Sequence, residues 1–309
     1  MKPIFPFLIP EEELKDESWT SNPVLATNIC HIRNVCADFP SLLLGYSADS
    51  EAKIYSDFIT SVITNKWGIN VFLQEDAVPL PALSYAITTR SMPIGLYIEK
   101  ASDSERPSAR VTLISTHGGL FNEKDLRAES VSKPSKPGVV GTTDILSSYV
   151  KQLVGFADPY IDDGVCFADL EVPFTALSKM LKAKDSLALI NDRQIKGPVA
   201  RLSNNGCYVD IYNNNEKITF DKLAYQLAKH LKEERLASGS IFVPKGKGEI
   251  FSALGDISEV EENESVMSYF AGFADLFIAW WPEKLIALQG SSCFGDGLLA
   301  SIYYIESMR

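Results

Sequence analysis

Between residues 42 and 115, apolar runs of strand length alternate with amphipathic runs of helix length, and this alternation constrains the fold more than any other feature. LLLGY (42–46) is an unbroken apolar run, whereas EAKIYSDFITSVITNKWG (51–68) spaces its apolar residues three and four apart and ends on a glycine. INVFLQ (69–74) predicts a second strand, PALSYAITT (81–89) a helix and IGLYIE (94–99) a third strand; ARVTLIS (109–115) predicts a fourth, after a polar loop. Strands that alternate with helices predict an α/β fold in which mixed, mainly parallel sheets are flanked by helices.

The pattern resumes after RAESVSKPSKPGVVGTT (127–143), whose Ser, Pro, Lys and Gly content marks a connector. A long amphipathic helix is expected over 144–161, then a strand at 165–169, a helix at 174–183 and a strand at 186–191. VARL-SNNG-CYVDIY (199–212) reads as a hairpin, with NNG supplying the positive φ angles of a tight turn. Beyond it the spacing predicts a helix over 221–236, a strand over 240–244 and a helix over 249–255. A strand over 276–281 and a terminal helix over 296–307 complete the series.

Composition narrows the function classes. The 29 Lys and Arg against 40 Asp and Glu leave a formal charge of −11. A field of that sign repels phosphate backbones, and Lys245 with Lys247 are the nearest approach to a basic patch, so no nucleic-acid partner is expected. The opening MKPIFPFLIPEEEL has one lysine, an apolar run broken by prolines and three consecutive acids, which fits neither a signal peptide nor an anchor. The longest apolar stretch, 269–288, holds Asp275, Glu283, Lys284 and a proline, so no membrane span is expected. Five scattered cysteines without a CxxC pair argue for neither a disulfide framework nor a zinc site, which points to a reducing cytoplasm.

Four stretches, in order, resemble the α-D-phosphohexomutases, the phosphoglucomutase/phosphomannomutase family. LLLGYSADSEAKIYSDFI is similar to the family's first strand and helix, usually G-Y-D-x-R followed by Ser. EDAVPLPALSYAI is similar to its P-T-P-x-x-x-x-A turn and helix, and LALINDRQIKG (187–197) to the strand leading into I-A-N-D-x-D-x-D-R. SSCFGDGLLASIYYIE resembles the D-G-x-x-A-x-x-x-x-x-E helix of the third domain. The resemblance covers most of residues 40–309. It implies a phosphohexomutase-like domain I at 1–143, a linking helix and truncated domain II at 144–197, and a domain III-like part at 198–309, with the fourth domain absent.

The resemblance also implies where chemistry would sit. In the family the loop after the third strand is T-A-S-H-N-P, and its serine carries the phosphoryl group. Here IEKASDSERP takes that place, Ser102 aligns with the serine, and Asp103 replaces the histidine. A serine hydroxyl needs a base or a metal to accept a phosphoryl group, and beside Asp103 and Glu105 a phosphoserine would meet like charge. The three acidic positions of the family's metal loop read Asp192, Gln194 and Lys196, so its Mg²⁺ site is reduced to one carboxylate, Asp192. The sugar-binding loop, G-E-x-S-G-H in the family, falls near IAWWPEKLIA (278–287). Glu283 and Trp280 are the candidate sugar contacts there, next to Trp281 and without the Ser-Gly-His.

These readings predict a degenerate scaffold without mutase activity, with a binding or assembly role linked to carbohydrate metabolism and no cofactor. A second copy of the chain or another protein is the expected partner, because faces that missing portions would cover are otherwise left apolar in water; a sugar phosphate is the candidate ligand. The enzyme alternative is a residual phosphosugar phosphotransferase using Ser102 with Asp192, and only that alternative calls for Mg²⁺. Other constellations are weaker. His117, in STHGGL, lacks a G-x-S-x-G partner. His230, in AYQLAKHLKEERL, is assigned to a helix surface. VPKGKGEI (243–250) departs from G-x-x-x-x-G-K-[ST] and reads as a βα turn.

Overall fold

The computed structural model describes residues 6–22, 39–102, 104–120, 136–157, 167–183, 197–235, 238–260, 277–280, 285–288 and 294–308. They fall in two compact units, Met1–Ile145 and Leu146–Arg309.

Unit 1 begins with β1 (Phe7–Pro10) and α1 (Glu11–Asp16), two elements without a counterpart among the sequence expectations. Three glutamates in the first turn of α1 complement the positive end of its dipole. There follow β2 (Ser41–Tyr46), α2 (Ser50–Trp67), β3 (Asn70–Leu73), α3 (Leu80–Thr89), β4 (Ile94–Lys100) and β5 (Ser108–Ser115), where the alternation predicts them. β6 (Val140–Thr142) corrects the expected connector: it pairs in parallel with β3, Val140 opposite Val71. The sheet order is β1-β5-β4-β2-β3-β6. β2, β3, β4 and β6 run parallel, while β5 and then β1 add antiparallel pairings.

Every residue of β2 is buried, as a central strand covered on both faces requires. Leu42, Leu44, Val71, Leu96 and Ile98 pack in one cluster with Ile59, Ile63 and Trp67 of α2. That helix stops at Gly68, whose φ of 62° lets its N–H return to the Ile63 and Thr64 carbonyls.

Unit 2 comprises α4 (Leu146–Phe156), β7 (Asp169–Glu171), α5 (Thr175–Lys182), β8 (Val199–Leu202), β9 (Val209–Asn213), β10 (Glu216–Lys217) and α6 (Phe220–Glu233). It continues with β11 (Ile241–Pro244), β12 (Ile257–Val260), β13 (Phe277–Trp280), β14 (Leu285–Ala287) and α7 (Gly297–Glu306). Two four-stranded sheets result, β10-β9-β8-β7 and β12-β11-β13-β14. The strand expected at 186–191 lies outside the described residues. The helix expected over 249–255 is a 3₁₀ helix at Gly248–Leu254.

β8 and β9 do form an antiparallel hairpin, but only Gly206 of NNG has a positive φ, 78°. The tight turn lies one connection later: Asn214 and Asn215, at φ 50° and 65°, join β9 to β10. Two consecutive left-handed residues match the twist of the flanking strands, and asparagine tolerates that conformation better than other residues with a side chain. α7 is buried along its whole length, so it is apolar on all sides and sits inside the unit rather than on its surface.

Candidate functional site

Because β2, β3 and β4 are parallel, their C-terminal ends open on one edge of the unit 1 sheet, where loops at 47–49, 74–79 and 101–107 meet. Ligands of parallel α/β sheets bind at this edge. The loops are held by backbone and tyrosine contacts. Ser47 N–H donates to the Ile98 carbonyl at 2.9 Å, and Val78 N–H to the Tyr46 carbonyl at 3.0 Å. Tyr97 donates its hydroxyl to the Val78 carbonyl at 2.9 Å, and Tyr46 donates to the Glu75 carbonyl.

Ser102 lies in this edge, in the hairpin loop between β4 and β5, and is exposed. Among the described residues, no hydrogen bond reaches its hydroxyl. The loop is closed beneath it by Ala101 N–H to the Ser108 carbonyl, 2.9 Å. Ser104 Oγ lies 3.1 Å from Ser108 Oγ and accepts from Arg106 N–H at 3.3 Å, which gives that serine a local structural job.

The cation that ends β4 is already engaged: Lys100 forms an ion pair with Glu51 in the first turn of α2. Hydrogen bonding from Lys100 holds the Glu51 carboxyl down at about 2, and the same bond raises Lys100. Ser47 donates to Asp49 Oδ2 at 2.6 Å. Burial pushes the Tyr46 hydroxyl up to about 12, and the charges of Asp76, Asp57 and Glu75 add to it. The described loops and helix start of this edge carry five carboxylates, Asp49, Glu51, Glu75, Asp76 and Glu105, beside Lys100 and, in the loop of Ser102 itself, Arg106.

The remaining sequence candidates are not brought to Ser102 by any described geometry. Asp192, Gln194, Lys196, Trp281 and Glu283 lie outside the described residues, and Trp280 ends β13 with its side chain likewise outside. The donors at the metal-loop positions, a carboxylate, an amide and an ammonium, do not fit Mg²⁺, which takes oxygen ligands and is repelled by a lysine. Among the described residues there is no cluster of three or more His, Cys, Asp or Glu side chains placed to hold a metal, and no helix is long and apolar enough to cross a membrane.

Unit 2 adds three features. A cavity of about 500 Å³ is lined by Arg201, Tyr212 and the Asn213–Asn215 turn. Arg201 stands 5.1 Å over the Tyr212 ring and its Nε meets Glu171 Oε1 at 3.0 Å. The D-G helix motif is structural here: Asp296 is buried, caps α7 by accepting from Leu298 and Leu299 N–H at 3.1 and 2.9 Å, and accepts from the Tyr149 hydroxyl at 2.9 Å.

His230 is not on the helix surface; it is 5% exposed, with Nε2 3.1 Å from Glu306 Oε2. Glu306, the last residue of the same motif, is gripped by Arg235 Nη2 at 2.6 Å to both carboxylate oxygens. The spacing signal for His230 is present in the sequence, since it falls on the stripe of Leu223, Leu227 and Leu231, all buried.

Neither a family model nor a curated protein matches the sequence. Solved structures do match the fold. A Thermus thermophilus protein assigned as a phosphomannomutase superposes with a TM-score of 0.68 at 13% identity, over 98% of this chain and 78% of that one. The open form of pp63/parafusin, the exocytosis-sensitive phosphoprotein and phosphoglucomutase of Paramecium, gives 0.70 at 9% identity, over 98% and 71%. A phosphoglucomutase/phosphomannomutase family protein of Burkholderia thailandensis gives 0.62 at 10% identity, over 98% and 75%. The chain has a phosphohexomutase-like fold. Identities this low establish the architecture and leave the chemistry to the residues.

Proposed function

We propose that this chain is a non-catalytic phosphohexomutase-like protein of the cytoplasm, with a binding or assembly role linked to carbohydrate metabolism. The observation that carries this reading is the state of the strand-end edge: an exposed Ser102 without a described hydrogen-bond partner, with Lys100 at the end of the preceding strand committed to Glu51. Phosphoryl transfer to a serine requires an activated hydroxyl and positive charge to meet the charge developing on the phosphoryl oxygens. Lys100 can supply that charge only by releasing Glu51. The substitutions at Gln194 and Lys196 support the same reading.

The test is a coupled assay with glucose 1-phosphate, a hexose 1,6-bisphosphate primer and Mg²⁺, together with intact mass of protein from its native source. The expected result is no interconversion of hexose phosphates and an unmodified Ser102. Turnover above about 1 s⁻¹, the low end of ordinary enzymes, or a phosphate adduct abolished by Ser102→Ala, would instead establish the residual phosphotransferase.

A further inference from the structure

β6 closes one side of the unit 1 sheet, and no strand pairs with its outer edge among the described residues. The apolar side chains there stand open: Val139 is 65% exposed and Val140 53%, and nearby Phe39, 6.2 Å from the Phe72 ring, is 58% exposed. Edge strands in monomers are usually blunted by a lysine, a proline or a bulge. Val140–Thr142 carries none of them.

The hydrogen-bond parity of the strand shows what the edge can accept. Val139 gives its carbonyl to Val71 N–H at 2.9 Å, and Thr143 N–H donates to the Leu73 carbonyl at 2.9 Å. Backbone groups alternate in direction along a strand, so Val140 and Thr142 turn their N–H and C=O groups away from β3. In an antiparallel pair, directly opposed residues of this parity exchange two hydrogen bonds. A two-fold copy of β6 can thus set Val140 opposite Val140, each donating to the other.

That register makes two further matches. Val139 falls opposite Gly141, whose Cβ position is taken up by the Phe72 ring at 2.9 Å, so the incoming valine meets that ring. Lys136 and Asp144, both exposed, lie at equal distances along the chain on either side of Val140, so the two-fold axis brings opposite charges towards each other just beyond the paired strands. The other symmetric register, centred on Gly141, sets Lys136 opposite Leu146 and loses both charge matches. The geometry points to a second copy of this chain as the partner of β6, in an isologous dimer that continues the six-stranded sheet across a two-fold axis. This dimer rests on the edge strand and not on the absence of catalysis, so it stands or falls separately from the phosphoryl-transfer assay.

Sedimentation of the full chain at micromolar concentration reads the outcome directly. Twice the 34.1 kDa chain mass is expected. Val140→Pro removes an N–H that β3 does not use, so it is expected to yield a folded monomer whose thermal melt is cooperative and, unlike the parent's, independent of protein concentration. Val140→Cys places two cysteines in an opposed hydrogen-bonded pair with Cα atoms about 5.5 Å apart, within disulfide range. It is expected to cross-link under mild oxidation well above the parent chain, whereas Thr142→Cys is not. A monomeric parent, a dimer that survives Val140→Pro, or equal cross-linking at the two positions would overturn the inference. Should the proline variant fail to fold, the cysteine pair decides alone.

Discussion

Arg235→Ala is expected to destabilise unit 2 by about 2–3 kcal/mol, the upper part of the range for leaving a buried polar group without its partner, because Glu306 is buried while Arg235 itself is partly exposed. Glu306 is 3% exposed and has exchanged its water for Arg235 and His230. The guanidinium reaches it with three hydrogen bonds: Nη2 at 2.6 Å to each oxygen and Nε at 3.2 Å to Oε2. Arg235 also donates to the Phe156 carbonyl at 2.9 Å and lies 5.2 Å from the Tyr303 ring centre, so one side chain ties α4, α6 and α7 together. Truncation strands the carboxylate beside a histidine whose Nδ1 has no hydrogen-bond partner in good geometry. Arg235→Lys keeps the charge but loses the planar fork, and an intermediate loss is expected. Pairing Arg235→Met with Glu306→Leu removes both charges and is expected to recover most of the stability, because the penalty belongs to the orphaned ion. Urea midpoints measure all three; a loss below about 0.5 kcal/mol for Arg235→Ala, the size of an ordinary surface change, would show that Glu306 is hydrated.

What the sequence discloses depends on whether the deciding interaction is local. β2, β4 and α2 are legible because their burial pattern is written in consecutive residues, as in LLLGY and in the apolar spacing up to Gly68. β1, β6 and β10 are strands of two to four residues, and at that length pairing with a neighbour decides the conformation, not propensity. The Ser, Pro and Lys that precede Val139 and Val140 mask them as strand residues. NNG draws the tight-turn assignment because Asn-Gly is the commoner signal, while the chain uses Asn214-Asn215.

At the candidate site, the strand-end position of Ser102 follows from the alternation alone. The Lys100–Glu51 lock does not, since it joins a strand end to a helix start 49 residues away. Asp296 ahead of an apolar run is a readable capping signal. Its partner Tyr149, 147 residues distant, is not readable.

Asp296 supplies the second large effect, and it is visible only against pH. Burial pushes its carboxyl from the ordinary 3.8 up to about 6, against the pull of the Leu299 amide, the Tyr149 hydroxyl and the Leu298 amide. The folded chain therefore holds this proton more tightly than the unfolded chain. Its stabilising contribution is complete below about pH 4 and is lost as pH rises through about 6; the displacement corresponds to on the order of 3 kcal/mol. Asp296→Asn never ionises, yet its amide oxygen can still accept from Leu298 and Leu299 N–H. The two proteins are expected to melt at similar temperatures near pH 4. Between pH 4 and pH 7 the asparagine variant should gain on the parent by up to that amount, several degrees in Tm. Other carboxylates titrate over the same range, but they are common to both proteins and cancel in the difference. Asp296→Ala orphans two amides and the Tyr149 hydroxyl, so a loss of about 1–3 kcal/mol is expected at every pH. A Tm difference between parent and asparagine variant that stays constant from pH 4 to pH 7 would mean that the buried carboxylate remains ionised throughout, its hydrogen bonds to Tyr149, Leu298 and Leu299 outweighing the cost of burial.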